Sequence, residues 1–589
     1  MELTLDQALQ KGVEAHKAGQ VQEADQYYTA IIRANPKHPD ANHNMGVLAV
    51  GVGKVEAALP FFKTALEANS SVAQYWLSYI DALIKLDRIV DAKAVLDQAK
   101  SKGINCEGLD SRNKELQLSL ENFAIGQDIA LGHWITLTKL LTQQKFSQAI
   151  RLIEDIEEIY PDSFSLNNLA GQAYLGSKEF KLAGRYLKRA ISLNAEYGQA
   201  HNNLGQLYTL EGKKKKAIES YKMVLQLNPN NYVGHNNLGS AYNDQKLLNK
   251  AIKHYKIALQ LNPNYKTCLL NLGLVQREKG QFTAAIKSYK RAIELDPQYV
   301  KAFNGLGVAL LDKAEVKLAT QCFLDAIKID VDCGEAYWNL IGTSKNIQEA
   351  QKWLSRCLKT TSQSDNALIM EAGLEAYMGE TIKLDKLYGS KFADHPCTRS
   401  FTWALNLPKL PPLYFTRWAL FDYIISSSNK DRPFYEFGVW TGEAFKYLIK
   451  TFKKGYGFDT FEGLPEDWHN EKAGTYSSDG NIPKIKGGKF IVGKFEDTLP
   501  AFFEKERPKA SIINFDADLY SSTICALNFA KPVIDQHTIL IFDEFLINDN
   551  WEQDEYKALE EFCSNNGYTY EVLAISFFTK QVAVKLIGI

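Results

Sequence analysis

The first two thirds of the chain repeat one pattern of small and large apolar positions every 34 residues. Each period has a glycine, an alanine twelve residues later and a large side chain four residues after the alanine. The glycines are Gly171, Gly205, Gly239, Gly273 and Gly307, the alanines Ala183, Ala217, Ala251, Ala285 and Ala319, and the large residues Leu187, Tyr221, Tyr255, Tyr289 and Phe323. The pattern predicts two amphipathic helices per period, with small residues where helices approach and large residues filling the groove. Pro229, Pro263 and Pro297 end the second helix of three periods, because proline cannot continue a helix.

Helix pairs with this period resemble the tetratricopeptide repeat. Further copies appear upstream at Gly12, Gly46 and Leu137, residues about 101–128 break the period, and a shortened copy covers about 334–360. We therefore predict an all-α superhelix of about ten repeats over residues 1–360. Such solenoids present a concave surface that typically binds peptides, so a protein or peptide partner is expected on that face.

An asparagine stands two positions before the glycine, or its equivalent, in several repeats. These residues are Asn44, Asn203, Asn237, Asn271 and Asn339. Because an amide both donates and accepts, a row of asparagines can pair with a peptide backbone of any sequence. The row resembles the repeats of O-linked N-acetylglucosamine transferase, which implies peptide binding by Asn203, Asn237 and Asn271. The alternative is that these side chains cap helices or tie adjacent repeats together.

The period ends near residue 360, and the chain then changes character. Residues 366–390 predict one or two helices that cap the solenoid, and 407–413 form a stiff proline-rich break. We assign 361–430 to capping helices and a proline-containing linker. From 431 to 589, short apolar strands alternate with helices, which is typical of an α/β domain.

The first strand of this domain leads into a glycine-rich turn. Gly438 and Gly442 follow Glu436 in the pattern E-x-G-x-x-x-G. In a doubly wound sheet this turn binds nucleotide-like ligands, because glycines let the backbone come close and the following helix offers N–H donors. Asp459 ends the next strand, 23 residues after Glu436, where a carboxylate can accept hydrogen bonds from ribose. A tight strand–helix turn also needs glycines without any ligand.

Four carboxylates follow two further apolar runs that have the composition of buried parallel strands. Asp516 and Asp518 follow the run 512–515, and Asp543 and Glu544 follow the run 539–542. The carboxyl ends of such strands hold ligands in open α/β sheets, and paired hard oxygen ligands suit Mg²⁺. One such acid alone is best explained as a helix cap, but four of them beside a glycine turn favour an enzyme site.

Four motifs in this order resemble the macrocin O-methyltransferase-like family among class I S-adenosylmethionine-dependent methyltransferases. They lie at 436–442, 459–465, 516–523 and 542–545. The resemblance implies a Rossmann-like α/β domain over 431–589 that methylates a hydroxyl of a sugar or glycosylated acceptor and depends on Mg²⁺. By position it implies S-adenosylmethionine contacts for Glu436, Gly438, Gly442 and Asp459, metal ligation by Asp516, Asp543 and Glu544, and Asp518 as general base. The family usually has aspartate where this chain has Glu544.

Methyl transfer to an alcohol needs groups of this kind. An alcohol is a poor nucleophile at neutral pH, and a carboxylate that removes its proton, with a metal that orients it, makes it reactive. Two other hypotheses stay open. In one, the repeats form an interaction scaffold and the methyltransferase-like domain is weakly active or silent. In the other, the enzyme methylates a peptide or protein.

Composition narrows the function classes further. The formal net charge of −1 gives no general attraction to nucleic acid or to an anionic membrane. No apolar run approaches the roughly 18 residues of a membrane span, and the N-terminus lacks the features of a signal peptide. The eight cysteines lie far apart, which argues against a disulfide framework or a zinc site. We therefore expect a cytoplasmic protein.

Overall fold

The computed structural model describes residues 3–588 except 87, 105, 114–115, 117–127 and 362–364. It divides the chain into two compact units, Met1–Pro229 and Asn230–Ile589. The division falls inside the predicted repeat array, so the predicted boundaries at 360 and 430 do not separate the compact units. Much of the predicted irregular segment 101–128 lies outside the described residues.

Apart from the interval 102–130, the described residues of the first unit form helices joined by short turns. Its named helices are α1 Leu5–Lys17, α2 Val21–Ala34, α3 Pro39–Gly51, α4 Val55–Ala68, α5 Ala73–Lys85, α6 Ile89–Ser101, α7 Leu131–Thr142, α8 Phe146–Ile156, α9 Phe164–Gly176, α10 Phe180–Leu193, α11 Gly198–Leu210 and α12 Lys214–Leu227. The predicted helix pairs are confirmed in this unit.

The second unit begins with further helix pairs of the same kind. They are α13 Tyr232–Asn243, α14 Leu248–Leu261, α15 Lys266–Glu278, α16 Phe282–Leu295, α17 Val300–Asp312, α18 Val316–Ile329, α19 Gly334–Ile341 and α20 Ile347–Cys357. The last pair is shortened, as the sequence predicted, because α19 has only 8 residues. Among the described residues, no helix combines the length and the apolar composition needed to cross a bilayer.

The spacing of glycine and aromatic residues has a steric origin. The glycine on the first helix of a pair lies against the large side chain of the second helix. A Cβ atom at Gly239 would lie 2.7 Å from the Tyr255 ring, and one at Gly273 would lie 2.6 Å from the Tyr289 ring. Ala251, between glycine and tyrosine in the sequence, is fully buried. The predicted use of small and large residues in helix packing is therefore confirmed.

The C-terminal part forms one mixed sheet with helices. Its strands are β1 Leu413–Tyr414, β2 Phe434–Phe437, β3 Gly455–Asp459, β4 Gly488–Val492, β5 Ile512–Phe515, β6 Ile539–Phe542, β7 Thr569–Ser576 and β8 Val582–Ile587, in the order β1-β7-β8-β6-β5-β2-β3-β4. Strand β8 runs antiparallel to β6 and β7, and the other neighbours are parallel. Because β2 has β3 on one side and β5 on the other, the strand order reverses there, and open α/β sheets bind ligands at such a point.

Helices connect these strands and join the sheet to the repeats. Those within the sheet region are α24 Arg417–Ser427, α25 Glu443–Phe452, α26 Phe495–Phe503, α27 Tyr520–Ala530 and α28 Glu555–Asn566, with short 3₁₀ turns at Lys531–Val533 and Trp551–Gln553. Between repeats and sheet lie α21 Asp365–Tyr377, α22 Ile382–Tyr388 and α23 Pro396–Leu405. The predicted linker thus contributes β1 and α24 to the sheet region, which begins before residue 431.

One hydrophobic core runs from the later repeats into the sheet. Tyr289 and Phe323 of the repeats belong to the same buried cluster as Phe437, Phe515 and Phe542 of the strands. Separating the two parts would expose this surface to water at a cost of about 25 cal/mol per Å² of apolar area. This shared core is the reason why residues 230–589 form one compact unit.

Candidate active site

Four phenylalanines at the ends of adjacent strands stack in one row across the sheet. They are Phe458, Phe437, Phe515 and Phe542, with ring centroids 4.8, 5.4 and 4.9 Å apart from one neighbour to the next. The strands pair with these residues in register. The residues that follow them are Asp459, Gly438, Asp516 and Asp543. The stacked row therefore fixes four predicted site positions side by side at the carboxyl edge of the sheet.

A cavity of about 460 Å³, here called the strand-end cavity, opens at this edge and has the size of a small-ligand site. Of the predicted site residues in the sheet region, Gly438, Asp459, Asp516, Asp518, Asp543 and Glu544 line it, whereas Glu436 and Gly442 do not. Part of the wall comes from the helical repeats, including Arg277, Phe282, Leu311, Asp312 and Asn339. The sequence had assigned these residues to a separate domain.

The glycine turn is held close to the neighbouring strand. Gly438 has a φ of 86°, and a Cβ atom there would collide with the backbone carbonyl of Asp516. Gly442 has a φ of 74° and is the N-cap of α25. Glycine adopts these left-handed angles without steric cost. Trp440, between them, has a φ of 49°, which is uncommon for a bulky residue and is found at functional sites.

Asp459 closes this turn through hydrogen bonds from the backbone. Its Oδ2 accepts from the N–H groups of Val439 at 2.6 Å and Trp440 at 2.7 Å, and its Oδ1 accepts from the N–H of Phe461 at 2.6 Å. Carboxylate oxygens have further lone pairs. Asp459 also lines the strand-end cavity, where a ligand could reach these lone pairs. Its contact with a ribose stays a prediction.

Glu436 is buried, with 1 % of its surface exposed. Its Oε1 accepts from Asn514 Nδ2 at 3.3 Å, and its Oε2 has no donor among the described residues. Burial raises the pKa of Glu436 well above its ordinary value. A carboxyl in this environment favours the protonated form.

Arg417, the first residue of α24, lies between two of the predicted metal ligands. Its Nη2 is 2.6 Å from Asp543 Oδ2, and its Nη1 is 3.7 Å from Asp516 Oδ2. Gln581 donates to the other oxygen of Asp543 at 2.6 Å. Burial and the charge of Asp543 raise the pKa of Asp516, and Arg417 opposes this shift. Arg417 thus supplies positive charge where the sequence predicted a cation.

Glu544, the third predicted ligand, is paired with other groups. It forms an ion pair with Lys580 at 2.7 Å and accepts from Asn548 Nδ2 at 2.9 Å. Within the part of the chain that the structure describes, no group of three His, Cys, Asp or Glu side chains is arranged to hold a metal ion. Carboxylate oxygens suit Mg²⁺, but this arrangement does not fit the ion while Arg417 and Lys580 hold those oxygens. Magnesium stays a prediction.

Asp518 differs from the other acids of the site. None of the described residues donates a hydrogen bond to its carboxylate, which lines the strand-end cavity. Burial, together with the charges of Glu544 and Asp543, raises the pKa of Asp518 well above its ordinary value. Its φ of 62° is a left-handed conformation of the kind found at functional sites. A carboxylate with a raised pKa and open oxygens is a stronger proton acceptor than an ordinary aspartate.

Sequence reasoning missed Arg417, Gln581, Lys580 and the wall formed by the repeats. One signal existed for Arg417. The Thr416 side chain accepts from the Ala419 N–H as a helix cap, so Arg417 begins a helix where its charge opposes the helix dipole. A cation at that place indicates a nearby anionic partner. Gln581 and Lys580 lie between β7 and β8 and carry no comparable signal.

The asparagine row connects neighbouring repeats. Within the first unit, Asn203 Nδ2 donates to Asn168 Oδ1 at 2.9 Å, and within the second, Asn271 donates to Asn236 at 3.0 Å and Asn339 to Asn304 at 2.9 Å. These bonds tie adjacent repeats together, as the alternative explanation predicted. Peptide binding by Asn203, Asn237 and Asn271 stays a prediction.

Comparison with known proteins identifies the repeats. Family models described as tetratricopeptide repeat match residues 43–104, 164–197, 198–231 and 232–265, and one described as TPR repeat matches 275–313. No curated protein matches the chain.

Several solved structures are similar to parts of the chain. MamA is 26% identical with a TM-score of 0.26, covering 27% of this chain and 94% of that one. YrrB, described as a TPR protein with an unusual peptide-binding site, is 20% identical with a TM-score of 0.27, covering 31% and 95%. Yeast Tom70 is 15% identical with a TM-score of 0.33, covering 66% and 99%. The family matches show that the chain carries tetratricopeptide repeats across its N-terminal and middle regions. Such repeats are an architecture of protein-interaction scaffolds.

Proposed function

We propose that the chain is an S-adenosylmethionine-dependent O-methyltransferase whose repeats recruit a protein partner or the acceptor. The observation that carries this proposal is Asp518, a carboxylate with a raised pKa in a cavity at the strand-order reversal, to which no described residue donates a hydrogen bond. A ligand-sized pocket that contains a perturbed acid is the usual form of an active site.

The residues around the glycine turn suit the proposed cofactor. Gly438 lets the backbone approach closely, and α25 begins directly after Gly442 with N–H groups that have no partner within the helix. The indole N–H of Trp440 is buried without an acceptor among the described residues, which leaves a donor for a ligand. When bound, S-adenosylmethionine supplies a methyl group that an oxygen nucleophile can displace from sulfur.

The protein's own part in the reaction is proton removal and orientation. Asp518 accepts the proton of the acceptor hydroxyl as its oxygen attacks, which contributes about 10²–10⁴-fold to the rate. Arg417 holds Asp516 and Asp543 in place and balances their charge beside this base. The stacked phenylalanines beneath the acids keep the strand ends rigid, so the base keeps its position.

We propose a sugar or glycosylated acceptor. Trp440 carries aromatic rings on two sides, Phe282 at 5.8 Å and Tyr476 at 5.7 Å between ring centroids, and all three residues line the cavity. Arg277 Nε lies 2.6 Å from Asp312 Oδ2 in the same wall. Apolar ring faces next to charged hydrogen-bonding groups suit a ligand with both hydroxyls and C–H faces. A peptide or protein hydroxyl is the alternative acceptor.

The test uses the full chain. Calorimetry with S-adenosylmethionine measures cofactor binding, and transfer of a labelled methyl group is screened over glycans, glycopeptides and peptides. Asp518→Asn should bind the cofactor as the wild type does but lose at least 100-fold in transfer. The control Asp497→Asn makes the same charge change at an exposed position of α26 and should retain activity. Equal activity of the two variants would exclude Asp518 as the base.

The second candidate is a scaffold protein with a silent methyltransferase-like domain. The repeats favour it, since the family matches lie within residues 43–313. In that case the wild type would bind no S-adenosylmethionine even at millimolar concentration, while still binding a protein partner.

A further inference from the structure

We propose that the turn 280–282 of the helical repeats is a positioning element of the cofactor site, because it packs against Trp440 and Thr441 and so holds the glycine turn in its binding conformation. This inference rests on the proposed cofactor site. It assigns a role in the reaction to a segment that the sequence pattern places in a recruiting module.

Gly280 makes the closest approach between the repeats and the glycine turn. It lies in the short turn between α15 and α16, with a φ of 71°. A Cβ atom there would collide with the Thr441 methyl group and would lie 2.9 Å from the Trp440 ring. The absence of a side chain therefore lets the two turns pack in direct contact.

Phe282 continues this contact from the first position of α16. Its ring meets the Trp440 ring edge to face at 5.8 Å, and 7 % of its surface is exposed. Edge-to-face aromatic pairs prefer this distance and contribute about 0.5–1.5 kcal/mol. Two residues of the repeat turn thus define where the Trp440 side chain lies.

The position of Trp440 matters because its backbone is part of the proposed cofactor turn. Its N–H donates to Asp459, and its φ of 49° is one that a bulky residue does not adopt without support. The contacts from Gly280 and Phe282 supply this support from outside the sheet.

Further contacts join the repeats to the sheet region near this turn. The Trp418 indole N–H donates to the Leu311 carbonyl at 2.6 Å, and Lys279, next to Gly280, pairs with Asp479 at 2.5 Å. The Lys279 side chain is only 8% exposed, whereas that of Asp479 is 48% exposed, so the ion pair is buried on the lysine side alone. The repeats and the sheet region therefore pack directly against each other around the turn.

The chain contains a matched control for Gly280. Gly212 stands two repeats upstream at the same turn position, has the same φ of 71°, and would have no atom within 4 Å of an added Cβ. Ala314 occupies this position one repeat downstream with a φ of 62°, so the turn accepts alanine. Gly280→Ala and Gly212→Ala therefore share the same backbone strain and differ only in the contact with Trp440 and Thr441.

The experiment measures S-adenosylmethionine affinity by calorimetry in the full-length wild type and both variants. Gly212→Ala should stay within twofold of the wild type, and Gly280→Ala should bind at least tenfold more weakly. Adding Thr441→Ser to Gly280→Ala removes the nearest clashing methyl group and should restore part of the affinity. A purely structural loss would instead lower the melting temperature without this rescue of affinity.

Equal affinities of Gly280→Ala and Gly212→Ala, with a wild type that binds, would overturn this inference and leave the proposed function standing. A wild type that does not bind would overturn both. If Gly280→Ala does not fold, the cofactor affinity of Phe282→Leu tests the inference instead. Its control is Phe180→Leu, because Phe180 is likewise the first residue of its helix, three repeats upstream. Phe282→Leu should weaken cofactor binding and Phe180→Leu should not, and equal affinities would again overturn the inference.

Discussion

Replacing Arg417 by methionine should destabilise the strand ends in a manner that depends on pH. Methionine keeps an unbranched stem in place of arginine but removes the charge that lies between Asp516 and Asp543. The folded protein would then hold two neighbouring carboxylates without their cation.

The size of the expected stability loss follows from how far the Asp543 and Asp516 side chains are exposed to solvent. The Asp543 side chain is only 3% exposed and bonds Arg417 at 2.6 Å, and breaking a buried pair of this kind costs about 3–5 kcal/mol. The Asp516 side chain is 27% exposed and lies 3.7 Å away, so its share is about 0–1 kcal/mol. We expect a loss of about 3–5 kcal/mol at pH 8.

Lower pH should reduce this loss. A proton on Asp516 relieves the repulsion between the two uncompensated carboxylates, and burial already raises the pKa of Asp516. The folded variant therefore binds more protons than the unfolded chain as pH falls, and its stability approaches that of the wild type.

Hydrogen exchange of the β5 and β6 amides is the suitable assay, because a long repeat protein does not unfold in one step. The control Arg291→Met breaks an exposed pair with Glu294, whose side chains are 50% and 63% exposed, and should cost less than about 1 kcal/mol. A loss below about 1 kcal/mol for Arg417→Met at pH 8 would refute the reasoning. A loss that is the same at pH 5 and pH 8 would show that packing, and not charge, is responsible.

Three further predictions follow from the site and the repeats. Mg²⁺ should bind Arg417→Met at least tenfold more tightly than the wild type in calorimetry, because the guanidinium competes for the same carboxylate oxygens, and equal affinities would contradict this competition. Glu436→Gln should raise the unfolding free energy above pH 7. Burial raises the pKa of Glu436 in the folded protein, so the wild type loses stability as the pH rises from the unfolded-state pKa of this carboxyl to its folded-state pKa, and glutamine has no such proton to lose. That gain should disappear near pH 4, and hydrogen exchange of the β2 amides at both pH values tests it. Asn271→Ala should lower the exchange protection of α15 by about 1 kcal/mol through loss of the bond to Asn236, and unchanged protection would show that this tie is not stabilising.

The repeats could be predicted because their determinants are close in sequence. Gly239 and Tyr255 lie 16 residues apart in one helix pair and meet in space, so their steric match appears as a regular pattern. The Asn271 tie shows where this approach fails. An asparagine at a repeated position can form a hydrogen bond either with a neighbouring repeat or with a ligand. Only the observed bond to Asn236 shows that the Asn271 amide donates within the protein.

The candidate site was predicted in part. Asp516 and Asp543 follow strand-like runs, and the parallel register of β5 and β6 brings them together as expected. Arg417 was missed because it comes from a helix that the sequence assigned to a linker, and it reaches the acids only when α24 packs beside the sheet. Asp516 and Asp543 therefore lie together at the strand ends, with a cationic partner that no local pattern indicated, and their role as metal ligands stays a prediction.

By itself, the sequence determined the helical repeats, the strand–helix alternation and the row of acids at the strand ends. These features depend on short-range sterics and on the polarity of neighbouring positions, which a linear pattern records. Only the tertiary structure decided that the repeats from residue 230 onward share a core with the sheet and form a wall of its cavity. Contacts such as that of Gly280 with Trp440 depend on how separately formed elements pack, and packing between distant segments leaves no periodic trace in the chain.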